Sequence, residues 1–141
     1  ELVELAVNLQ APIRLMERLG TAMAERGGGR IVNLSSIAAK IGHPDVWYGA
    51  TKAAIQNATQ SFATRLGPSG VQVNSVAPGP VSTDMLATIP DARKSALEAR
   101  ALTGRFGKPE EIASTVVWLA LDAPPTVNGI CIDLTDGALL R

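Results

Sequence analysis

The stretch that decides the fold class runs from residue 30 to residue 66 and reads RIVNLSSIAAKIGHPDVWYGATKAAIQNATQSFATRL. Its first part, residues 30–36, is short, apolar and β-branched, which predicts a buried strand. Residues 37–45 are predicted to form a loop. From residue 46 to residue 66 a helix follows, with apolar side chains along one side and a glycine and a proline after its end.

The same alternation continues on both sides of this stretch. Before it, apolar residues from Leu5 to Met23 recur at three- and four-residue steps, which indicates an amphipathic helix that a run of glycines terminates. Strands that alternate with helices imply right-handed crossovers and a parallel sheet. We therefore expect one α/β domain over residues 1–141, a doubly wound parallel sheet of about three strands with flanking helices. After residue 66 we predict a strand at 70–77, a loop beginning at 78–85, helices at 91–102 and 108–122, and a final strand at 129–134.

Composition and charge narrow the class of protein. The chain has 141 residues, of which 46% are apolar and 18% charged, and this is typical of a globular domain. The 13 basic residues balance 13 acidic ones, so we expect neither nucleic acid nor a membrane surface as a partner. No apolar run has the length of a membrane span, and no group of His, Cys and carboxylates has metal-ligand spacing.

The cysteine content and the first residues bear on where the protein works. The single Cys131 excludes an internal disulfide and fits a reducing compartment. We expect a cytoplasmic protein in which Cys131 is a small buried residue of the last strand. The chain opens on Glu1 without a secretion signal or an initiator Met, and we expect it to be part of a longer protein.

Tyr48 and Lys52 form the first candidate catalytic pair. Tyr48 is the single tyrosine, and a helix places the two side chains on one face, one turn apart. A tyrosine hydroxyl ordinarily has a pKa of about 10 and is a poor base at neutral pH. One ammonium about 5 Å away, at an effective dielectric near 20, favours the phenolate by roughly 3 kcal/mol, about enough for acid–base chemistry. The same spacing also occurs by chance on helices where the tyrosine only packs.

Polar residues and a Pro-Gly turn follow the ends of two predicted strands. Ser35 and Ser36 close the strand at 30–36, and Pro78 and Gly79 follow the strand at 70–77. Ligands of open parallel sheets bind outside the carboxyl ends of the strands. A serine hydroxyl there can donate to a substrate oxygen, and the Pro-Gly turn lets the backbone approach a ligand closely.

Asn8, on the first predicted helix, has a backbone carbonyl whose usual partner is missing. That partner is the amide N–H of residue 12, which is Pro12 and has none. The carbonyl then needs a water molecule as its donor. Alternatively, the proline simply kinks the helix.

Four separated segments carry a resemblance to a known family. They are NLSS (33–36), YGATK (48–52), VNSVAPGPVSTDM (73–85) and GRFGKPEEIA (104–113), in this order. Together they resemble the short-chain dehydrogenases/reductases, over nearly the whole chain. The resemblance implies a Rossmann-like fold, NAD or NADP as cofactor, and the reduction of a carbonyl or the oxidation of a secondary alcohol. The similar branches include the 3-oxoacyl carrier-protein reductases.

The resemblance also implies roles for single residues. Tyr48 resembles the catalytic acid/base, and Lys52 the residue that favours its ionisation and bonds the nicotinamide ribose. Ser36 resembles the serine that orients the substrate, with Ser35 as the alternative, and Asn8 the residue whose carbonyl holds a water of the proton relay. The cofactor-binding residues implied are Tyr48, Lys52, Pro78, Gly79, Val81 and Thr83.

One part of the family's pattern has no counterpart here. The glycine-rich TGxxxGxG turn that cradles the cofactor pyrophosphate is absent, and RGGGR (26–30) precedes a strand where that turn follows one. The residues that select NAD or NADP are absent as well. We therefore expect the C-terminal portion of the fold, with a bare edge on its first strand and weak dinucleotide binding when alone. The alternative function is a non-catalytic fragment or an association module.

The resemblance also implies partners for this chain. Each of the remaining candidate residues has two alternative roles. We expect a small alcohol or carbonyl substrate, and a homodimer or homotetramer joined through the helix at 46–66. His43 either contacts substrate or is solvated, and Trp47 either lines the pocket or packs on a neighbour. Met85 and Leu86 form either a substrate lid or part of the core.

Overall fold

The computed structural model describes residues 2–139, in which six helices and three strands alternate. The helices are α1 (Leu2–Leu5), α2 (Ala11–Glu25), α3 (Val46–Leu66), α4 (Asp84–Ala87), α5 (Asp91–Glu98) and α6 (Pro109–Leu121). The strands are β1 (Gly29–Leu34), β2 (Val71–Pro78) and β3 (Cys131–Leu134). A π-helical turn at Ala6–Gln10 joins α1 to α2, and 3₁₀ turns lie at Ile37–Ala39 and Gly67–Ser69.

The three strands form one parallel sheet in the order β1-β2-β3, as predicted. Leu34 at the end of β1 lies opposite Val76, and Leu134 at the end of β3 lies opposite Pro78. The carboxyl ends of all three strands therefore meet at one edge of the sheet. This is the edge at which a parallel sheet binds its ligands.

Helices cover both faces of the sheet because β2 carries apolar side chains on both. Val71 and Val73 pack with Met16 of α2 and Ile55 of α3, and Ile55 is 1% exposed. Val76 points to the other face, where α6 packs against it. Burying one such side chain favours folding by about 1.5–3 kcal/mol. This packing fixes the position of α3 on the sheet.

The predicted first helix contains a widened turn. In the π-helical turn Ala6–Gln10 the amide of Ala11 donates to the carbonyl of Ala6, five residues back. Pro12 follows directly, and it has no N–H with which to continue the usual ladder. Single π turns of this kind recur at functional sites. Asn8 lies in the middle of this one, so the sequence anomaly at Pro12 corresponds to a local change of helix type.

The extent of one predicted helix and the burial of one predicted core residue differ in the structure. The helix predicted at 91–102 ends at Glu98, because the segment after it bends back and Thr103 bonds the Asp136 carboxylate through its amide at 3.0 Å. Cys131 is half-buried, so the prediction of a buried cysteine was wrong. The reason is that β3 is an outer strand, which within residues 2–139 pairs only with β2.

The outer edge of β1 is bare in the part of the chain that the structure describes, as predicted. Leu34 on this strand is 55% exposed, and Leu15 and Leu19 of α2 are 57% and 52% exposed beside it. A groove of about 410 Å³ runs between α2 and β1, and Asn8 and Lys52 reach it. An unpaired strand edge next to apolar side chains is a surface that associates readily.

No helix among residues 2–139 combines the length and the apolar character that crossing a bilayer requires.

Glu111 fixes the segment that leads into α6. Its carboxylate accepts from Arg105 at 2.7 Å and from the amide of Lys108 at 2.7 Å. The hydrogen bond from Arg105, with that from the Lys108 amide, lowers the pKa of Glu111 from 4.5 to about 2. A depressed pKa means that the carboxylate stabilises the fold above pH 4.5 and that this contribution disappears as the pH falls through about 2.

Replacing Glu111 by Gln is therefore expected to lower the melting temperature by a few degrees at neutral pH and progressively less in acid. The measurement is thermal unfolding of both proteins from neutral pH down to pH 2, the value to which the pKa of Glu111 is lowered. Glu110→Gln is the matched control, since the Glu110 carboxylate bonds no side chain or backbone group among residues 2–139. If the difference in melting temperature between the unsubstituted protein and Glu111→Gln did not become smaller with falling pH, the role given to the Glu111 carboxylate would be contradicted.

Candidate active site

The start of α3 is set by a cap and by an aromatic contact. The Asp45 carboxylate accepts from the amide of Tyr48 at 3.0 Å, and this bond lowers the pKa of Asp45. Asx residues at this position satisfy the free N–H groups of the first turn. The His43 ring lies 5.1 Å from the Tyr48 ring at 49°, and its Nδ1 accepts from the Asp45 amide at 3.1 Å. The cap therefore places Tyr48 in the first turn, with His43 beside it.

Lys52 lies one turn after Tyr48 and contacts both the tyrosine and the end of β1. Its Nζ is 5.7 Å from the centre of the Tyr48 ring and donates to the Leu34 carbonyl at 3.0 Å. Burial lowers the pKa of Lys52 from its ordinary 10.5. A partly desolvated ammonium acts more strongly on a neighbouring charge than one in water. The structure thus brings together the two residues that the sequence pairs.

The two serines after β1 have different partners. Ser35 is 5% exposed, donates to the Lys52 carbonyl at 2.8 Å and accepts from the Gln56 amide at 2.8 Å. Ser36 is half-buried and caps the turn at Ile37–Ala39 by accepting from the Ala38 amide at 3.1 Å. Within residues 2–139 the Ser36 hydroxyl keeps its proton available for a further acceptor. The Ser35 hydroxyl, in contrast, already donates its proton to α3.

Asn8 reaches α3 through a threonine that sequence reasoning missed. Asn8 Nδ2 lies 3.5 Å from Thr51 Oγ1, and this hydroxyl donates to the Tyr48 carbonyl at 2.9 Å. Thr51 is 2% exposed. The one signal for Thr51 in the sequence was its position, three residues after Tyr48 and on the apolar side of the predicted helix. The π turn that holds Asn8 is thereby tied to the turn that holds Tyr48.

The segment after β2 lies at the same edge of the sheet. The Gly79 amide donates to the Leu134 carbonyl at 2.9 Å. A Cβ on Gly79 would lie 3.2 Å from Thr135 Cα, so the close approach that glycine allows here is to the end of β3. Val81 pairs with Gly107 in an isolated parallel bridge. Pro78 and Gly79 are therefore held firmly by the sheet.

Beyond this bridge the chain is much more exposed. Thr83 is exposed, and its hydroxyl lies 3.4 Å from the Val81 carbonyl. Met85 is 70% exposed, which excludes it from the core, whereas Leu86 is half-buried. Trp47, at 45% exposed, is also largely open to solvent. The segment around α4 thus has the exposure expected of a surface element and little packing of its own.

The donors at this edge fit the nicotinamide end of a dinucleotide. Lys52 has N–H groups beyond the one that bonds Leu34, and these suit ribose hydroxyls. The Val81 amide donates to no acceptor among residues 2–139, which leaves it for a carboxamide. Nothing in the sequence offers the pyrophosphate a glycine-rich turn after a strand. No three His, Cys, Asp or Glu side chains within the described residues are grouped as a metal site.

Comparison with known proteins gives consistent matches. The sequence profile described as Enoyl-(Acyl carrier protein) reductase matches residues 3–138. A 3alpha-hydroxysteroid dehydrogenase of Mediterraneibacter gnavus is 38% identical over 133 residues, which cover 94% of this chain and 53% of that protein. The 3-oxoacyl-(acyl-carrier-protein) reductase FabG of Thermotoga maritima is 33% identical over 135 residues, which cover 95% of this chain and 55% of that protein.

A solved structure extends this likeness to the fold. The crystal structure of a 3-oxoacyl-(acyl-carrier protein) reductase from Brucella melitensis matches with a TM-score of 0.91 at 32% identity, over 97% of this chain and 52% of that chain. The match confirms the predicted Rossmann-like α/β fold. The chain spans about half the length of each of these relatives.

Proposed function

We propose that this chain, which belongs to the short-chain dehydrogenase/reductase family, carries the proton-transfer residues of an oxidoreductase that uses NAD or NADP. The reaction is the reduction of a carbonyl or the oxidation of a secondary alcohol. One observation carries the proposal: Lys52 lies between the Tyr48 ring, at 5.7 Å, and the Leu34 carbonyl, at 3.0 Å, at the ligand edge of the sheet.

Each residue of this site has a proposed task. In the reductive direction the Tyr48 hydroxyl gives its proton to the substrate oxygen, and the Lys52 ammonium stabilises the phenolate that remains. Ser36, whose hydroxyl proton is not engaged by the described residues, donates to the same oxygen. The Asn8 carbonyl in the π turn holds a water that returns a proton toward Lys52. A bound nicotinamide would exchange a hydride with the substrate carbon.

The segment after β2 is proposed to hold the nicotinamide, together with Tyr48 and Lys52. Support comes from the free Val81 amide and from the firm attachment of Gly79 to β3. The choice between NAD and NADP lies outside the residues of this chain, so either cofactor fits the site. The contributing residues after β2 are Pro78, Gly79, Val81 and Thr83.

The substrate is proposed to be a small molecule with a carbonyl or a secondary alcohol. The relatives suggest two compounds with which to begin, since one is named for a 3-oxoacyl carrier protein and another for a 3alpha-hydroxysteroid. A 3-oxoacyl thioester and a 3-hydroxysteroid therefore belong in the first panel. The test uses the protein expressed from the complete reading frame that encodes this chain, with each compound and each dinucleotide.

We expect that with at least one compound the near-ultraviolet absorbance of the nicotinamide changes at a rate proportional to the enzyme concentration. A protein that folds and leaves both dinucleotides unchanged across ketones, 3-oxoacyl thioesters and secondary alcohols would contradict the proposal. Equilibrium binding of the dinucleotide, measured in parallel, separates a failure to bind cofactor from a wrong choice of substrates.

Dinucleotide binding by the 141-residue chain on its own gives a second prediction. Because the chain offers donors for the nicotinamide end and no glycine-rich turn for the pyrophosphate, we expect weak binding. Thermal unfolding with millimolar NADH or NADPH should show no saturable rise in melting temperature, since a ligand stabilises only in proportion to its occupancy. A clear, saturable rise with either dinucleotide would show that the described residues suffice for binding.

Association is the second candidate function, favoured by the bare edge of β1 and the apolar groove beside it. A chain that acted only as an association module would bind a partner there and show no turnover.

For the enzyme we propose a homodimer or homotetramer joined through α3, whose start carries the exposed Val46 and Trp47. Light scattering of the protein and of Val46→Glu tests this contact. A cytoplasmic location, expected from the single Cys131, stays a prediction.

A further inference from the structure

We infer that Gln56 is a positioning residue for the proposed reaction, because it holds the Ser35 hydroxyl on the backbone carbonyl of Lys52. The inference rests on the function proposed above. Gln56 lies on α3 one turn after Lys52, outside the four segments that carry the family resemblance.

The evidence is a relay of two short hydrogen bonds in a shielded place. Gln56 Nε2 donates to Ser35 Oγ at 2.8 Å, and Ser35 Oγ donates to the Lys52 carbonyl at 2.8 Å. Ser35 is 5% exposed, and Gln56 is half-buried. In a helix the Lys52 carbonyl already accepts the amide of residue 56, so the bond from Ser35 is an additional one. The relay therefore links the residue that follows β1 to α3 through side-chain hydrogen bonds.

The relay fixes the spacing between the strand end and the helix turn of the site. A third bond, from Lys52 Nζ to the Leu34 carbonyl at 3.0 Å, runs between the same two elements. Ser36 follows Ser35 directly, so the place of its hydroxyl relative to Tyr48 depends on where Ser35 is held. Misplacement of a reacting group by about 1 Å can cost as much as 10²-fold in rate. Gln56 acts on this spacing through Ser35, its single side-chain partner among residues 2–139.

The sharpest variant is Gln56→Glu, which keeps the shape of the side chain. An ionised carboxylate accepts hydrogen bonds and cannot donate them. The Ser35 hydroxyl should then turn away from the Lys52 carbonyl to the carboxylate, because bonds to a charged acceptor are the stronger ones. Gln60→Glu is the matched control, since it places the same charge on the exposed side of the same helix one turn later.

The first readout is the carbonyl signal of Lys52 and needs no activity. Lys52–Ala53 is the single Lys–Ala step among residues 1–141. In the protein from the complete reading frame, carbonyl-¹³C lysine with ¹⁵N alanine gives an NMR correlation for this carbonyl, which is identified by its loss in Lys52→Met. We expect the carbonyl resonance to move upfield in Gln56→Glu and in Ser35→Ala, and to stay in place in Gln60→Glu. An unmoved resonance in Gln56→Glu would overturn the inference.

The second readout is turnover by the protein from the complete reading frame. Gln56→Glu should lower kcat about tenfold and leave the KM for the dinucleotide unchanged. The double variant with Ser35→Ala should be no slower than Ser35→Ala alone, because Gln56 acts through Ser35. Additive losses, or an unchanged kcat, would refute a positioning role. If the unsubstituted protein has no dinucleotide-dependent turnover, the proposed function fails, while the carbonyl signal still decides whether Gln56 holds Ser35.

Discussion

Replacement of Tyr48 by Phe is expected to lower turnover by about 10³-fold, within the range that a positioned general acid contributes. The ring and its contact with His43 remain, and only the hydroxyl is lost. That hydroxyl bonds no group among residues 2–139, so its removal leaves no buried partner unsatisfied. The melting temperature should therefore change little. The measurement is kcat in the protein from the complete reading frame, together with its thermal unfolding.

A second hydroxyl on α3 provides the control for this variant. Ser61 is exposed, and among residues 2–139 its hydroxyl bonds only the Asn57 carbonyl of its own helix, so Ser61→Ala should keep full turnover. If Tyr48→Phe retained turnover at the level of Ser61→Ala, Tyr48 would not be the acid/base. If Tyr48→Phe lost activity and unfolded at a much lower temperature, the loss would reflect packing.

Lys52→Met is expected to lower turnover by about 10²-fold, because the charge that stabilises the phenolate is removed from beside the Tyr48 ring. Lys94→Met is the control, since Lys94 pairs with Asp91 on the exposed α5. The Lys94 variant should keep its turnover. Equal losses in the two lysine variants would contradict a local effect of the Lys52 ammonium.

The stability of the same variant should depend on pH in a definite direction. Burial lowers the pKa of Lys52 in the folded chain from 10.5, so the charged form costs the fold stability at neutral pH. As the pH rises through the lowered pKa toward 10.5, the unfolded chain binds the additional proton and the stability of the unsubstituted protein increases. Urea unfolding should show this rise in the unsubstituted protein and its absence in Lys52→Met. A rise of equal size in both would assign it to other groups.

The elements with strong local signals could be predicted from the sequence. The helix expected at 46–66 is α3 (Val46–Leu66), because its apolar side and the Gly67-Pro68 stop agree. The strands were predicted within two residues of their ends, since β-branched runs bounded by turns leave few alternatives. The pairing of Tyr48 with Lys52 followed from helix geometry alone.

The features that could not be predicted depend on contacts between distant parts of the chain. Thr51 and Gln56 are polar residues on a helix, and the partners that engage them, Asn8 and Ser35, lie on other elements. Pro12 signalled an irregular first helix, but a kink and a widened turn both accommodate a missing N–H. The exposure of Cys131 depends on which strand ends the sheet, and periodicity does not reveal strand order.

Hydride transfer is the step that tests the central claim most directly. The measurement uses NADH and NADPH deuterated at the transferable position, the protein from the complete reading frame, and mass spectrometry of the alcohol formed from an accepted carbonyl compound. We predict one deuterium on the former carbonyl carbon of the product and one oxidised nicotinamide for each product molecule. Two results would contradict the account. One is an alcohol that carries no deuterium whichever face of the nicotinamide is labelled, and the other is an alcohol that forms while the nicotinamide stays reduced.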